Sequence, residues 1–143
     1  MVMGDMEMST DLLVIGGGPG GYAAAFRAAD LGLDVIMVDP FPRPGGNCLH
    51  KGCIPSKTFL HLTELILDAQ HAEKMGISFS EPKVDVAAMR TWKNQVIDSI
   101  ADGLVTLADR RGILLVKGTA HFESSNRVRI TGADISRIRF KHC

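Results

Sequence analysis

The sequence has no surplus of charge. Sixteen Lys and Arg stand against sixteen Asp and Glu, and no basic stripe appears, which argues against nucleic acid and anionic membrane surfaces as partners. No apolar run approaches the roughly 20 residues needed to span a bilayer. The first ten residues carry two acids, four methionines and no Lys or Arg. A secretory signal wants a basic start and an apolar centre, and a mitochondrial transit peptide wants arginines and few acids, so neither is present. Residues 1–10 therefore read as a disordered tail, and the cytoplasm is the default compartment. Cysteine is scarce, with three in the chain. In a reducing compartment a close pair is more often catalytic or metal-binding than a structural staple. Internal repeats and low-complexity segments are absent.

What is present fits one domain over residues 11–143. The chain has 143 residues and is 45% apolar, enough to bury a core. Leu12–Ile15 is a short apolar run ending in glycines and reads as a buried parallel strand. Pro19–Leu31 is an alanine-rich helix stopped by Gly32. Val35–Val38 is a second buried strand, ending at Asp39. Strand, helix and strand within about 30 residues make a βαβ unit. A loop over 40–46 holds three prolines and two glycines. The periodicity of Phe59, Leu62, Leu65, Ile66 and Ala69 predicts a helix from Pro55 to Met75, ended by Gly76. Asp85 is placed to cap a third helix. Its stripe of Met89, Trp92, Val96, Ile100, Leu104 and Leu107 is expected to pack into the core. Gly112 ends it. Strands follow at 113–116, 118–122 and 127–130, and a last one begins near Ile135. The fold class is α/β: a Rossmann-like, three-layer domain with a parallel sheet and a β-meander.

Gly16-Gly17-Gly18-Pro19-Gly20-Gly21 matches the dinucleotide fingerprint, with a strand before it, a helix after it and Asp39 closing the next strand. Gly16 makes the tight turn, Gly18 lets backbone approach a pyrophosphate, and Gly21 lets helix and strand pack closely. The helix N-terminus offers free N–H groups to phosphate. Asp39 is expected to hydrogen-bond a ribose, and its carboxylate disfavours a 2′-phosphate.

Cys48 and Cys53 stand five positions apart, behind Gly45-Gly46-Asn47 and ahead of Lys57. In a regular helix that separation is roughly 8–9 Å between Cα atoms, whereas a disulfide wants less than about 7 Å. A bridge there needs a distorted turn, which Gly52 permits. Its loop is short and constrains the unfolded chain little. Such a bridge is a poor staple and easily reduced, which favours a redox role. Lys51 and Lys57 are placed to favour the thiolate. Zinc is the alternative, but structural zinc usually takes four ligands, and no second Cys/His pair accompanies His50 and His61. Two inert thiols are the remaining reading. No metal site is expected.

The run Gly46-x-Cys48-Leu49-x-x-Gly52-Cys53-Ile54-Pro55-Ser56-Lys57, with the helix Gly20–Leu33 and the segment Arg90-Thr91-Trp92-Lys93, resembles the flavin-linked disulfide reductases, and within them the dihydrolipoamide dehydrogenase group. The resemblance covers the chain beyond its first ten residues. It implies FAD as cofactor, with Gly16, Gly18 and Gly21 around the pyrophosphate and Asp39 at the adenosine ribose. Gly45, Gly46 and Asn47 would line the flavin side, Lys57 would tune the flavin, and Ala120 would meet the adenine end by its backbone. Cys48 would exchange with dihydrolipoamide carried on a lipoyl domain of a 2-oxo acid dehydrogenase complex. Cys53 would face the flavin, and NAD⁺ would be the final acceptor. A homodimer is expected of the full-length family. The sister reductases for glutathione or mercury are an alternative. Asn47, His50-Lys51 and Asp39 depart from common residues of the family. Cys143 stands where the family continues into an Ala-Thr-Gly turn. The domain is thus expected to stop before its last parallel strand, and the isolated chain to be at most an FAD-binding portion.

Overall fold

The structure is a computed structural model that describes residues 6–143. The chain divides into two compact units. One comprises residues up to Gly46 together with Ala101–Cys143, and the other comprises Asn47–Ile100.

The first unit is built on a six-stranded sheet. Its strands are β1 (Glu7–Ile15), β2 (Val35–Asp39), β3 (Leu114–Lys117), β4 (Thr119–Ser124), β5 (Arg127–Thr131) and β6 (Arg137–His142), in the order β3-β2-β1-β6-β5-β4. The pairs β1–β2, β2–β3 and β1–β6 are parallel, and β4–β5 and β5–β6 are antiparallel. Both faces of the parallel part are covered, so β2 has no polar alternation. Val35 to Val38 are each no more than 2% exposed. On one face Leu13, Ile36, Val38 and Val116 cluster with Val128, Ile130, Ile138 and Phe140, so the meander covers the parallel strands. On the other face Val14, Val35 and Met37 meet Ala25 and Ala28 of helix α1 (Pro19–Asp30), with Ala108 and Ile113. Alanines at these positions let the helix backbone come close to the sheet. The α/β class and its meander are as the sequence indicates.

Helix α1 opens on Pro19, which loses no bond at a first helical position. It stops at Gly32, whose φ of +86° suits the left-handed turn after a helix; the Leu33 amide donates to Ala28 O at 3.1 Å. Arg111 holds the same helix from outside: its Nε bonds Asp30 at 2.9 Å, and its guanidinium lies 5.0 Å from the Phe26 ring centre.

Two expectations change here. Residues 7–10, read as tail, are the first half of β1. Glu7 to Thr10 pair in register with Arg137 to Phe140, and Thr10 is buried, its hydroxyl donating to Asp34 O at 2.8 Å. Ion pairs of Glu7 with Arg139 and Asp11 with Lys141 flank that pairing. Residues 1–5 of the expected tail lie outside the described residues. The last strand is also more than a beginning. β6 is a six-residue strand, and it supplies β1 with a parallel neighbour inside the chain.

The second unit is helical. It contains most of α2 (Gly46–His50), then α3 (Cys53–Ala72), a 3₁₀ turn (Glu73–Met75) and α4 (Val86–Arg110) as far as Ile100. The helix expected at Pro55 starts two residues earlier, at Cys53. Pro55 is therefore third in the helix, still within the first turn where its missing N–H costs nothing. Gly76, at φ +83°, ends the 3₁₀ turn. Asp85 caps α4 as the sequence suggested: its Oδ1 accepts from the amides of Ala87 and Ala88 at 2.9 and 3.0 Å. The stripe expected to be core is only partly covered: Met89, Val96 and Leu104 are half-buried. Trp92, Ile100 and Leu107 are 39–40% exposed, and the buried positions of α4 are Ile97, Ala101 and Ala108. The periodicity marked an amphipathic helix correctly but could not say which part of a broad apolar arc is covered.

Candidate functional site

The glycine turn between β1 and α1 is shaped by three different steric demands. Gly16 has φ +99°, a conformation that side-chain-bearing residues rarely adopt. Gly21 would place a Cβ 1.8 Å from Gly16 O, so only glycine lets the first turn of α1 pass over the end of β1. Gly18 has nothing within 4 Å of where a Cβ would stand. That open space lies at the N-cap of α1, where first-turn amides have no helical acceptor. The tight turn expected at Gly16 and the close helix–strand packing expected at Gly21 are both present.

Gly17, which the sequence reading left without a role, is the best-connected residue of the turn. It is buried. Its N–H donates to Asp39 Oδ2 at 2.5 Å, and its carbonyl accepts from the Gly45 amide at 2.7 Å. The other Asp39 oxygen accepts from the Phe41 amide at 2.7 Å. The Asp39 carbonyl accepts from Gly118 at 2.9 Å, which ties the start of β4 to the end of β2. Ala120 lies two residues further on. It is half-buried, with its side chain against the meander cluster and its backbone paired with Ile130. Gly46 completes the turn at φ +57°, with its would-be Cβ 2.8 Å from Gly18 Cα. Thus Gly16, Gly18, Gly21, Asp39, Gly45 and Gly46 come together around one turn. The only sequence signal for Gly17 was three consecutive glycines, of which the fingerprint uses the outer two.

The second unit gathers Asn47, Cys48, Cys53 and Lys57. Cys48 lies in α2 and Cys53 opens α3. Between them Gly52, at φ −126° and ψ −97°, leaves helical geometry and breaks what would otherwise be one helix. The Lys51 amide closes α2 on Asn47 O at 2.9 Å, and Ser56 bonds back to Gly52 O through its amide at 3.0 Å and its hydroxyl at 2.9 Å. This is the distorted turn that a Cys48–Cys53 approach needs. Both are free cysteines. Hydrogen bonding with the Cys53 side chain, then partial burial and the repulsion a second thiolate would feel, raise the Cys48 pKa above the ordinary thiol value. Lys57 acts in the opposite direction and is outweighed. The lowering by Lys57 expected from sequence is thus present at Cys48, but the neighbouring sulfur outweighs it. The half-buried thiol is Cys48, and the exposed one is Cys53.

Among the described residues no group of three or more His, Cys, Asp or Glu is placed to hold a metal ion. No described helix is long and apolar enough to cross a membrane.

The fingerprint implies a dinucleotide, which the family resemblance makes FAD, and the residues of the turn fit its pyrophosphate. The turn offers open space at Gly18, the N-cap of α1, where no side chain caps the first-turn amides.

Comparison with known proteins agrees. Residues 10–143 match the family model described as pyridine nucleotide-disulphide oxidoreductase. Dihydrolipoyl dehydrogenase 3 of Haloarcula marismortui is 45% identical over 147 aligned positions, covering 100% of this chain and 30% of the relative. The dihydrolipoyl dehydrogenase of Buchnera aphidicola is 41% identical over 90% of this chain and 27% of its own length. That of Haemophilus influenzae is 44% identical over 84% and 25%. The chain thus spans under a third of the curated relatives it matches. A glycine turn shaped for a dinucleotide, a pair of free cysteines at a helix break and a family match over 134 of 143 residues, counting from 10 through 143, make this chain a member of the pyridine nucleotide-disulphide oxidoreductases, whose FAD the turn is built to receive.

Proposed function

We propose that this chain is the FAD-binding and dithiol-bearing portion of a dihydrolipoyl dehydrogenase. The observation that carries the reading is the Cys48–Cys53 pair, two free cysteines on either side of a helix break, in a chain 41–45% identical to enzymes of that name. In the oxidised form the two sulfurs are bonded to each other. A thiolate of dihydrolipoamide attacks Cys48, the Cys48–Cys53 bond breaks, and Cys53 departs as thiolate. The second substrate thiol, losing its proton, attacks the sulfur bound to Cys48, closes the lipoamide disulfide and releases Cys48. The substrate loses two electrons and two protons, and the cysteine pair gains the electrons. FAD, when bound, would supply the two-electron acceptor for the pair, and NAD⁺ would be the final acceptor. Asp39 would hold the adenosine ribose and Ala120 the adenine end, Gly45, Gly46 and Asn47 would line the flavin side, and Lys57 would tune the flavin. The working partner is a lipoyl domain of a 2-oxo acid dehydrogenase complex, and the full-length protein is a homodimer. The cytoplasm, which keeps thiols reduced, suits this cycle.

The test is spectroscopic. FAD-loaded protein treated with dihydrolipoamide is expected to develop a long-wavelength thiolate–flavin band. Cys53→Ser should abolish it, and Cys48→Ser should keep the thiolate but lose substrate exchange. A band that survives Cys53→Ser overturns the assignment of the two sulfurs.

A second reading concerns the 143 residues alone. Because they span 25–30% of the relatives, the isolated chain binds FAD without turning over. NAD⁺-dependent oxidation of dihydrolipoamide by the purified chain would refute it.

A further inference from the structure

We propose that Asp39 is a positioning residue for the pyrophosphate turn, latching Gly17 in place through its carboxylate, in addition to any contact with a ribose. This deepens the FAD reading of the turn and rests on it. Gly17 is buried, so its N–H needs an acceptor inside the protein. The acceptor is Asp39 Oδ2 at 2.5 Å, and the second oxygen of the same carboxylate takes the Phe41 amide at 2.7 Å. A carboxylate accepting two amides is held in one orientation, and such charge-assisted bonds are stronger than neutral ones. On the far side of the same residue, Gly17 O accepts from Gly45 at 2.7 Å. The Gly17 peptide is therefore clamped at both its N–H and its C=O, between the end of β2 and the loop before α2. The fit is close: a Cβ on Gly17 would stand 3.2 Å from Asp39 Oδ2 and 3.3 Å from Pro44 Cα. Gly18, the residue that faces the open space for phosphate, follows directly.

Carboxylate oxygens have lone pairs beyond those used by the two amides, so a ribose hydroxyl can still bond there. The latch predicts something a ribose contact does not. Loss of the Asp39 carboxylate weakens a phosphate ligand that has no ribose at all.

The test uses the ¹⁵N-labelled 143-residue chain without cofactor. Amide exchange is followed at Gly17 and Phe41, and affinities are measured for inorganic pyrophosphate and for FAD, in wild type and Asp39→Asn. Both amides are expected to be protected in the wild type. In Asp39→Asn, whose NH₂ cannot accept, one or both should exchange about tenfold faster or more, as for loss of a hydrogen bond to a charged group. Pyrophosphate and FAD should weaken by the same factor, also about tenfold. Asp39→Glu keeps the carboxylate and is expected to retain protection and pyrophosphate binding. If Asp39→Asn weakens FAD alone and leaves pyrophosphate and the Gly17 amide unchanged, the latch is wrong and the contact is to ribose only. If Asp39→Asn does not fold, unprotected Gly17 and Phe41 amides in the wild type still overturn the proposal, and protection retained in Asp39→Glu supports it. A wild type that binds neither ligand refutes the FAD reading itself, which separates the two failures.

Discussion

The sheet unit and the helical unit hold their apolar residues differently. In the sheet unit Leu13, Ile36, Val128 and Ile138 are at most 2% exposed, and two clusters sandwich the parallel strands. In the helical unit Phe59, Leu60, Leu65 and Trp92 are 37–61% exposed, and the buried set shrinks to Leu49, Thr58, Ala72 and Ile97. An apolar groove of about 420 Å³ runs between Leu62, Leu65, Ile66, Val84, Met89 and Trp92. Both units have suitable periodicity, but burial is set by what lies opposite. The sheet carries its own cover within the chain, and much of the apolar surface of the helices has none among the described residues.

The contrast breaks or sharpens by mutation. The largest effect is expected from Ile138→Ala, at a position 0% exposed at the centre of the sheet cluster. It should cost about 3–4 kcal/mol in urea unfolding, whereas Leu65→Ala, 54% exposed in the helical unit, should cost under about 0.5 kcal/mol. Equal costs would mean the two units are not distinguished by burial. Next is Gly21→Ala, whose methyl meets Gly16 O. A destabilisation of about 2–3 kcal/mol is expected from overpacking against backbone, with loss of FAD binding beyond what the melting shift explains. The smallest effect is chemical. The Cys53 hydrogen bond and partial burial hold the Cys48 thiol above the ordinary value. Its alkylation by iodoacetamide, followed peptide by peptide by mass spectrometry, should therefore lag that of a free thiol at neutral pH and rise only at more alkaline pH. Cys53→Ala removes the first of those causes, so the Cys48 profile should move toward lower pH. An unmoved profile would mean that the neighbouring sulfur is not what holds the proton.

The sequence disclosed what is local. Gly16, Gly18 and Gly21 act through the residues beside them, Asp85 caps amides two and three positions on, and Gly52 permits a break between near neighbours. Each is readable from spacing alone. What it hid depends on distant partners. Glu7–Thr10 look like tail until Arg137–Phe140 arrive alongside. The exposed side of α4 looks like core because periodicity carries no information about the facing element. Lys57 could be read as favouring the thiolate because charge is visible in a sequence, whereas the influence of one sulfur on the other needs the turn geometry. Gly17 was invisible for the same reason: its importance lies in Asp39 and Gly45, brought to it from two other segments.

The parallel pairing of β1 with β6 has a consequence for biosynthesis. β1 lies inside the sheet, yet one of its two neighbours is made about 130 residues later, the separation of the Asp11–Lys141 contact. At ribosomal rates of about 5–20 residues per second, β1 waits on the order of 10 s with that edge unpaired. During that interval its exposed backbone is open to pairing with other chains. The β1 edge is therefore where a chaperone would have most to protect on the nascent chain, and closing it is a slow, long-range step set by topology rather than by any local preference.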